Sequence, residues 1–182
     1  MTHRNLWQLW PSNVSDDLIE KIILLADDLP VNQATVFSED DFNPDIRTSS
    51  VRWIHEKWVK EILWDYVVQA NINAFSVDVV NHAEVQFTEY HGTQAGHYDW
   101  HHDVHWDSSA NSDRKLSITV QLSSSEEYEG GDFEFSECPS PEDCRQKGSV
   151  LIFPSYLKHR VTPVTSGIRR SLVAWFHGPR WR

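Results

Sequence analysis

Two cysteines, one methionine and seven glycines among 182 residues leave several architectures without material. Cys138 and Cys144, six residues apart in CPSPEDC, cannot build a disulfide framework, and two thiolates alone do not close a tetrahedral zinc set. They are read as free thiols of a reducing compartment. No apolar run is long enough to cross a bilayer. The opening MTHRNLWQLWPSN has no continuous apolar core of the signal-peptide kind. A cytoplasmic location without a membrane partner is therefore expected. Basic residues are also scarce: 16 Lys and Arg against 27 Asp and Glu give a net charge of −11. That balance argues against a grip on nucleic acid, which runs on cations. Internal repeats and low-complexity segments are absent as well.

What the chain does have is tryptophan, nine in all, enough large apolar surface for a substantial core. The length suits a single domain over 1–182, with a helical part at about 13–75 and a strand-rich part at about 83–178. Residues 15–29 read as a helix. Ser15 is its cap, Asp16 and Asp17 suit its N-terminus, and Leu18, Ile22, Leu25 and Leu29 form its apolar stripe before Pro30. Residues 36–50 are polar and aperiodic, a long loop of the kind that forms lids. Ile54, Trp58, Ile62 and Tyr66 repeat at four-residue spacing and predict a second helix over about 51–71. From about residue 83 the period becomes two. Seven strands are predicted, at 84–90, 97–103, 116–122, 132–137, 149–154, 159–164 and 169–177, most of them separated by glycine turns. Helices followed by many short strands imply helices packed on a β-sandwich or jelly roll.

Side chains two apart on a strand share a face. His97, Asp99, His101, Asp103, His105 and Asp107 fall in one such alternation and make three overlapping His-x-Asp pairs, among which spacing alone does not choose. His159 opens a later strand, with Arg169 ten residues on. Two imidazoles and one carboxylate on one face of a metal are the ligand set of non-haem Fe(II) oxygenases. Arg169, Ser171, Val173 and Trp175 alternate along the last strand. They offer a planar cationic fork for a carboxylate, a hydroxyl beside it and two groups to keep the pocket dry.

These residues resemble the prolyl-4-hydroxylase-type Fe(II)/2-oxoglutarate dioxygenases. Tyr98-Asp99-Trp100-His101-His102-Asp103 meets the family's Tyr-x-x-His-x-Asp, and His159 with Pro163-Val164 and Gly167-Ile168-Arg169 meets its later pattern. The stretch 116–122, Glu129-Gly130-Gly131-Asp132-Phe133 and the segment from Arg47 to Ile54 are similar too, so the resemblance runs from about residue 13 to 178. It implies an α+β, mainly β fold. Its core would be a double-stranded β-helix, jelly-roll or cupin-like, with the N-terminal helices packed on one sheet. It selects His101, Asp103 and His159 as metal ligands and catalytic residues, and Arg169 as the clamp for the far carboxylate of 2-oxoglutarate. Tyr90, Tyr98 and Ser171 would line the co-substrate pocket. So would Gln121, where some relatives carry a tyrosine, with Ser117 and Thr119 on its face.

The resemblance further implies Fe(II), 2-oxoglutarate and O2, with ascorbate as a reductant. The reaction implied is hydroxylation of an unactivated C–H bond, of a peptidyl proline in the leading case, with release of succinate and CO2. A free amino acid or other small molecule, or a non-catalytic metal-binding sensor, are the alternatives. Loops 36–50 and 104–114 would rim the site. His97, Asp99, His105 and Asp107 are expected behind the ligands or in solvent, and His102 pointing away. Trp100 and Trp106 are expected in the core. Metal binding is expected to weaken in mild acid, where the histidines protonate.

Overall fold

The computed structural model describes residues 5–34 and 43–182. His3 and positions 36–42 of the expected lid lie outside them. Two helices cover one face of a large sheet. Helix α1, Asp16–Asp27, starts where Ser15 Oγ accepts from the Leu18 amide at 3.4 Å, and it buries Ile19, Ile22 and Ala26. Helix α2, Lys57–Ala70, buries Val59, Leu63, Val67 and Ala70, then loosens into one π-helical turn at Asn71–Phe75.

The second helix is shorter than its periodicity predicts. Residues 50–54 form a strand instead, paired antiparallel with the strand at 83–91. Ile54 and Trp58 keep helical spacing only by coincidence across the boundary. Pairing two backbones in a sheet outweighs the helical preference of a short segment rich in β-branched and aromatic side chains.

The strands in chain order are β1 (Gln8–Trp10), β2 (Asn32–Gln33), β3 (Arg47–Thr48), β4 (Ser50–Ile54), β5 (Ala83–His91), β6 (His97–His101), β7 (Ser112–Gln121), β8 (Tyr128–Gly130), β9 (Phe133–Phe135), β10 (Val150–Pro154), β11 (His159–Val161) and β12 (Val164–Pro179). The short strands β1, β2, β3 and β8 have too few residues to show a period. The large sheet runs β1-β10-β7-β12-β5-β4-β2, with β8 also paired to β12, and the small sheet runs β3-β6-β11-β9. Together they form a double-stranded β-helix.

The period-two alternation divides the large sheet between two tasks. Val85 and Phe87 of β5, Leu116, Ile118 and Val120 of β7, and Leu172, Ala174 and Phe176 of β12 join the two helices in one buried cluster. Their neighbours of opposite parity, including Gln86, Tyr90, Thr119, Arg169, Ser171, Val173 and Trp175, line a cavity between the sheets. Burial on the helix face is worth about 1.5–3 kcal/mol per large side chain, so that face stabilises the sheet whose other face carries polar groups.

Candidate metal centre and adjoining pocket

The β6–β11 register sets His159 directly opposite His101. Strand β6 ends at His101, and the chain turns so that Asp103 folds back, its amide donating to the Ser155 carbonyl at 2.9 Å. His101 Nε2 lies 3.7 Å from one Asp103 oxygen and His159 Nε2 lies 3.6 Å from the other. One ligand atom from each of the three residues falls within 4.8 Å of the other two, the sole such group of three among the described residues. Each imidazole is oriented by its other nitrogen: His101 Nδ1 bonds the Asp99 carbonyl at 2.7 Å and His159 Nδ1 the Leu157 carbonyl at 2.9 Å. A proton on Nδ1 leaves the Nε2 lone pair facing the centre, the tautomer a metal requires.

Electrostatics favour a neutral His101 and an ionised Asp103. Burial, then the neighbouring His159 imidazole, hold His101 well below the usual histidine range despite Asp103. Burial alone would raise the Asp103 carboxyl; the two imidazoles, Arg114 and a 2.6 Å hydrogen bond donated by Ser117 Oγ outweigh it and lower its pKa. Ser155 Oγ bonds Ser117 Oγ in turn at 2.9 Å. Neutral imidazoles and an ionised carboxylate are the donor set that fits Fe(II) or a similar divalent first-row ion.

The cavity over this triad encloses about 450 Å³, including its mouth. Tyr98 stacks on His101 with centroids 3.4 Å apart, and burial pushes its phenol up to about 12, so it stays protonated at neutral pH. Phe133 stacks on His159. Arg169 is 4% exposed and sits 5.6 Å from the Tyr90 ring centroid, and among the described residues no carboxylate pairs with it. Ser171 Oγ and Trp175 Nε1 are buried with no hydrogen-bond partner among the described residues. A buried cation beside an orphaned hydroxyl is a cradle for a carboxylate, and 2-oxoglutarate offers one.

The sequence profile of the 2OG-Fe(II) oxygenase superfamily matches residues 85–177. The chain belongs to this superfamily. Among relatives of the chain, a PKHD-type hydroxylase of Synechococcus sp. (strain CC9311) is 44% identical over 81 residues, covering 44% of the chain and 36% of the relative. A PKHD-type hydroxylase of Hyphomonas neptunium is 46% identical over 61 residues, covering 33% and 27%. These matches span about a third of the relatives' length. In fold, the chain is similar to a Pseudomonas putida prolyl-4-hydroxylase, with a TM-score of 0.70, 18% identity, and 96% of this chain and 93% of that one covered. It is also similar to a Trichoplax adhaerens prolyl hydroxylase in complex with a peptide fragment of hypoxia inducible factor, with a TM-score of 0.71, 15% identity, and 94% and 83% covered.

Of the residues singled out in the sequence, His101, Asp103, His159, Arg169, Tyr90, Tyr98, Ser171 and Thr119 line one cavity. Gln121 lines a neighbouring cavity on the other side of Arg169, and Ser117 is spent on Asp103. His102 points away, with Nδ1 on the Tyr156 carbonyl, and His97 turns back to the Ala95 carbonyl. Two tryptophans differ from expectation. Trp106, five residues beyond the end of β6, is 53% exposed, and Trp100, within β6, is partly buried, lying outside the triad cavity under the Arg160 guanidinium. Cys138 and Cys144 are free. Sequence reasoning missed Arg47, which lines the cavity over the Tyr98 ring and donates to Gln86 Oε1 at 2.7 Å and Ser49 Oγ at 3.0 Å. It also missed the Ser155 contact. Both depend on which strands meet, which no local pattern reports.

Proposed function

We propose that this chain, acting as one domain over its whole length, is an Fe(II)- and 2-oxoglutarate-dependent dioxygenase that hydroxylates an unactivated C–H bond of a peptidyl proline. The observation that carries this reading is the convergence of His101, Asp103 and His159 in one cavity beside a buried Arg169 that no carboxylate among the described residues pairs with. A bare metal store needs no carboxylate clamp. The peptide assignment rests on the fold neighbours described as prolyl hydroxylases, one of them with a peptide bound. No helix among the described residues is long and apolar enough to cross a membrane.

Bound iron would couple oxidation of 2-oxoglutarate, to succinate and CO2, to insertion of one oxygen atom of O2 into the substrate, with ascorbate as an auxiliary reductant. The chain's own residues supply the frame. His101 and His159 present Nε2 lone pairs, and Asp103, held by Ser117, presents its carboxylate. Arg169 and Ser171 anchor the distal carboxylate of the co-substrate. Phe133, Val173 and Trp175 exclude water, and Tyr98 holds the His101 ring flat. The loop after Asp103 forms the rim that meets the peptide.

The test is mass spectrometry of host-cell peptides incubated with Fe(II), 2-oxoglutarate and the protein. A gain of one oxygen on proline, lost in Asp103→Ala, is the expected result. Tight metal binding with no oxygenated product from peptides or free amino acids would favour a sensor instead.

A further inference from the structure

Behind the triad cavity lies a second one of about 490 Å³, and Arg169 and Phe133 line both. Gln121 and Tyr128 face each other within it. Gln121 Nε2 donates to the Ser123 carbonyl and to the Tyr128 hydroxyl oxygen, each at 3.0 Å, while its Oε1 is buried with no partner among the described residues. Both N–H groups of the amide are thus spent, and the remaining polar atom is an acceptor. A carboxylate brought to Gln121 would set oxygen against oxygen. Tyr128 is in the opposite condition. Its oxygen already accepts a hydrogen bond, and among the described residues nothing accepts its proton.

The ring is fixed in place. It is 4% exposed, and the Arg145 guanidinium lies 4.3 Å over it. Gly131, at φ +64°, separates it from Arg169: a Cβ there would stand 3.0 Å from Arg169 Cδ and 3.3 Å from Tyr128 Cε2. The phenol edge and the arginine stem therefore converge over the same glycine, where any side chain would push them apart.

We propose that Tyr128 is a co-substrate-binding residue, its hydroxyl donating to the distal carboxylate of 2-oxoglutarate held at Arg169, with Gln121 as the positioning residue that aims it. The inference rests on the oxygenase reading above. It assigns to β8 the phenol that the family resemblance would place at position 121.

Calorimetry on Mn(II)-loaded protein without oxygen tests it, comparing 2-oxoglutarate with 2-oxopentanoate, which has a methyl group in place of the distal carboxylate. Tyr128→Phe should weaken 2-oxoglutarate about ten- to a hundredfold, the worth of one hydrogen bond to a charged acceptor, and leave 2-oxopentanoate unchanged. Gln121→Leu should weaken 2-oxoglutarate selectively too, and it carries the test if the first variant melts early. Unchanged 2-oxoglutarate affinity in both variants, or equal losses for both ligands, overturns the proposal while leaving the oxygenase reading intact. Wild-type protein that takes up Mn(II) but no 2-oxoglutarate, or an Arg169→Met variant that binds it normally, overturns that reading and this inference with it.

Discussion

Asp103 shows how much a single candidate ligand leans on its neighbours. Its carboxylate is fully enclosed, and one oxygen is held by Ser117, itself tied to Ser155. Removing such an outer partner costs a metal site about ten- to a hundredfold in affinity. Ser117→Ala should therefore weaken Mn(II) binding by that factor in a calorimetric titration while the fold persists. His101 makes a second prediction. Because its folded pKa is depressed, the unfolded chain binds a proton first as pH falls through about 6.5. The metal-free protein should lose stability below that pH, down to the depressed value, and Asp103 adds a loss of the same sign below its ordinary range. Urea unfolding at pH 7.5 and 5.5 checks this: His101→Asn should show a smaller difference between the two pH values than wild type. At this scale the sequence was informative about which residues converge in the cavity and silent about what holds them. The triad and Arg169 sit in a spaced motif, whereas Ser155 and the Arg47–Gln86 bond exist only once distant strands meet.

Strands β4, β5 and β12 are tied together by more than their ladders. Glu89 on β5 receives Arg52 of β4 at 2.6 Å and Arg170 of β12 at 3.0 Å. Burial raises the Glu89 pKa, but the two arginines bond it and outweigh that, so the net shift is downward. Its stabilisation is present above the ordinary glutamate range and is lost as pH falls through the lowered value. Glu89→Gln should cost about 2–3 kcal/mol at pH 7, because two partly buried cations lose their partner, and much less near pH 3. Denaturant unfolding at both pH values reads this. The same region shows where elements were legible. Strands β5, β7 and β12 announced themselves by alternation because one face is apolar and the other polar, whereas β8 is too short to show a period. Residues 50–54 did not, since Val51 and Ile54 are spaced as on a helix and only pairing with β5 settles the matter.

Across the whole molecule, stability and chemistry occupy opposite faces of one sheet. The helix-covered face holds the large apolar cluster, and the face toward the small sheet lines the cavity where the triad and Arg169 meet. Substitutions in the cluster, such as Phe87→Ala, should cost about 3–5 kcal/mol in unfolding experiments yet leave metal affinity unaltered in whatever protein remains folded. The measurement that bears most directly on the central claim is succinate release from 2-oxoglutarate by Fe(II)-loaded protein in oxygen, with wild type beside His159→Ala and Arg169→Met. Steady succinate formation in wild type, abolished without His159 and strongly reduced without Arg169, is the predicted result. Equal succinate from all three proteins, or none from iron-loaded wild type with any peptide or amino acid present, would contradict it.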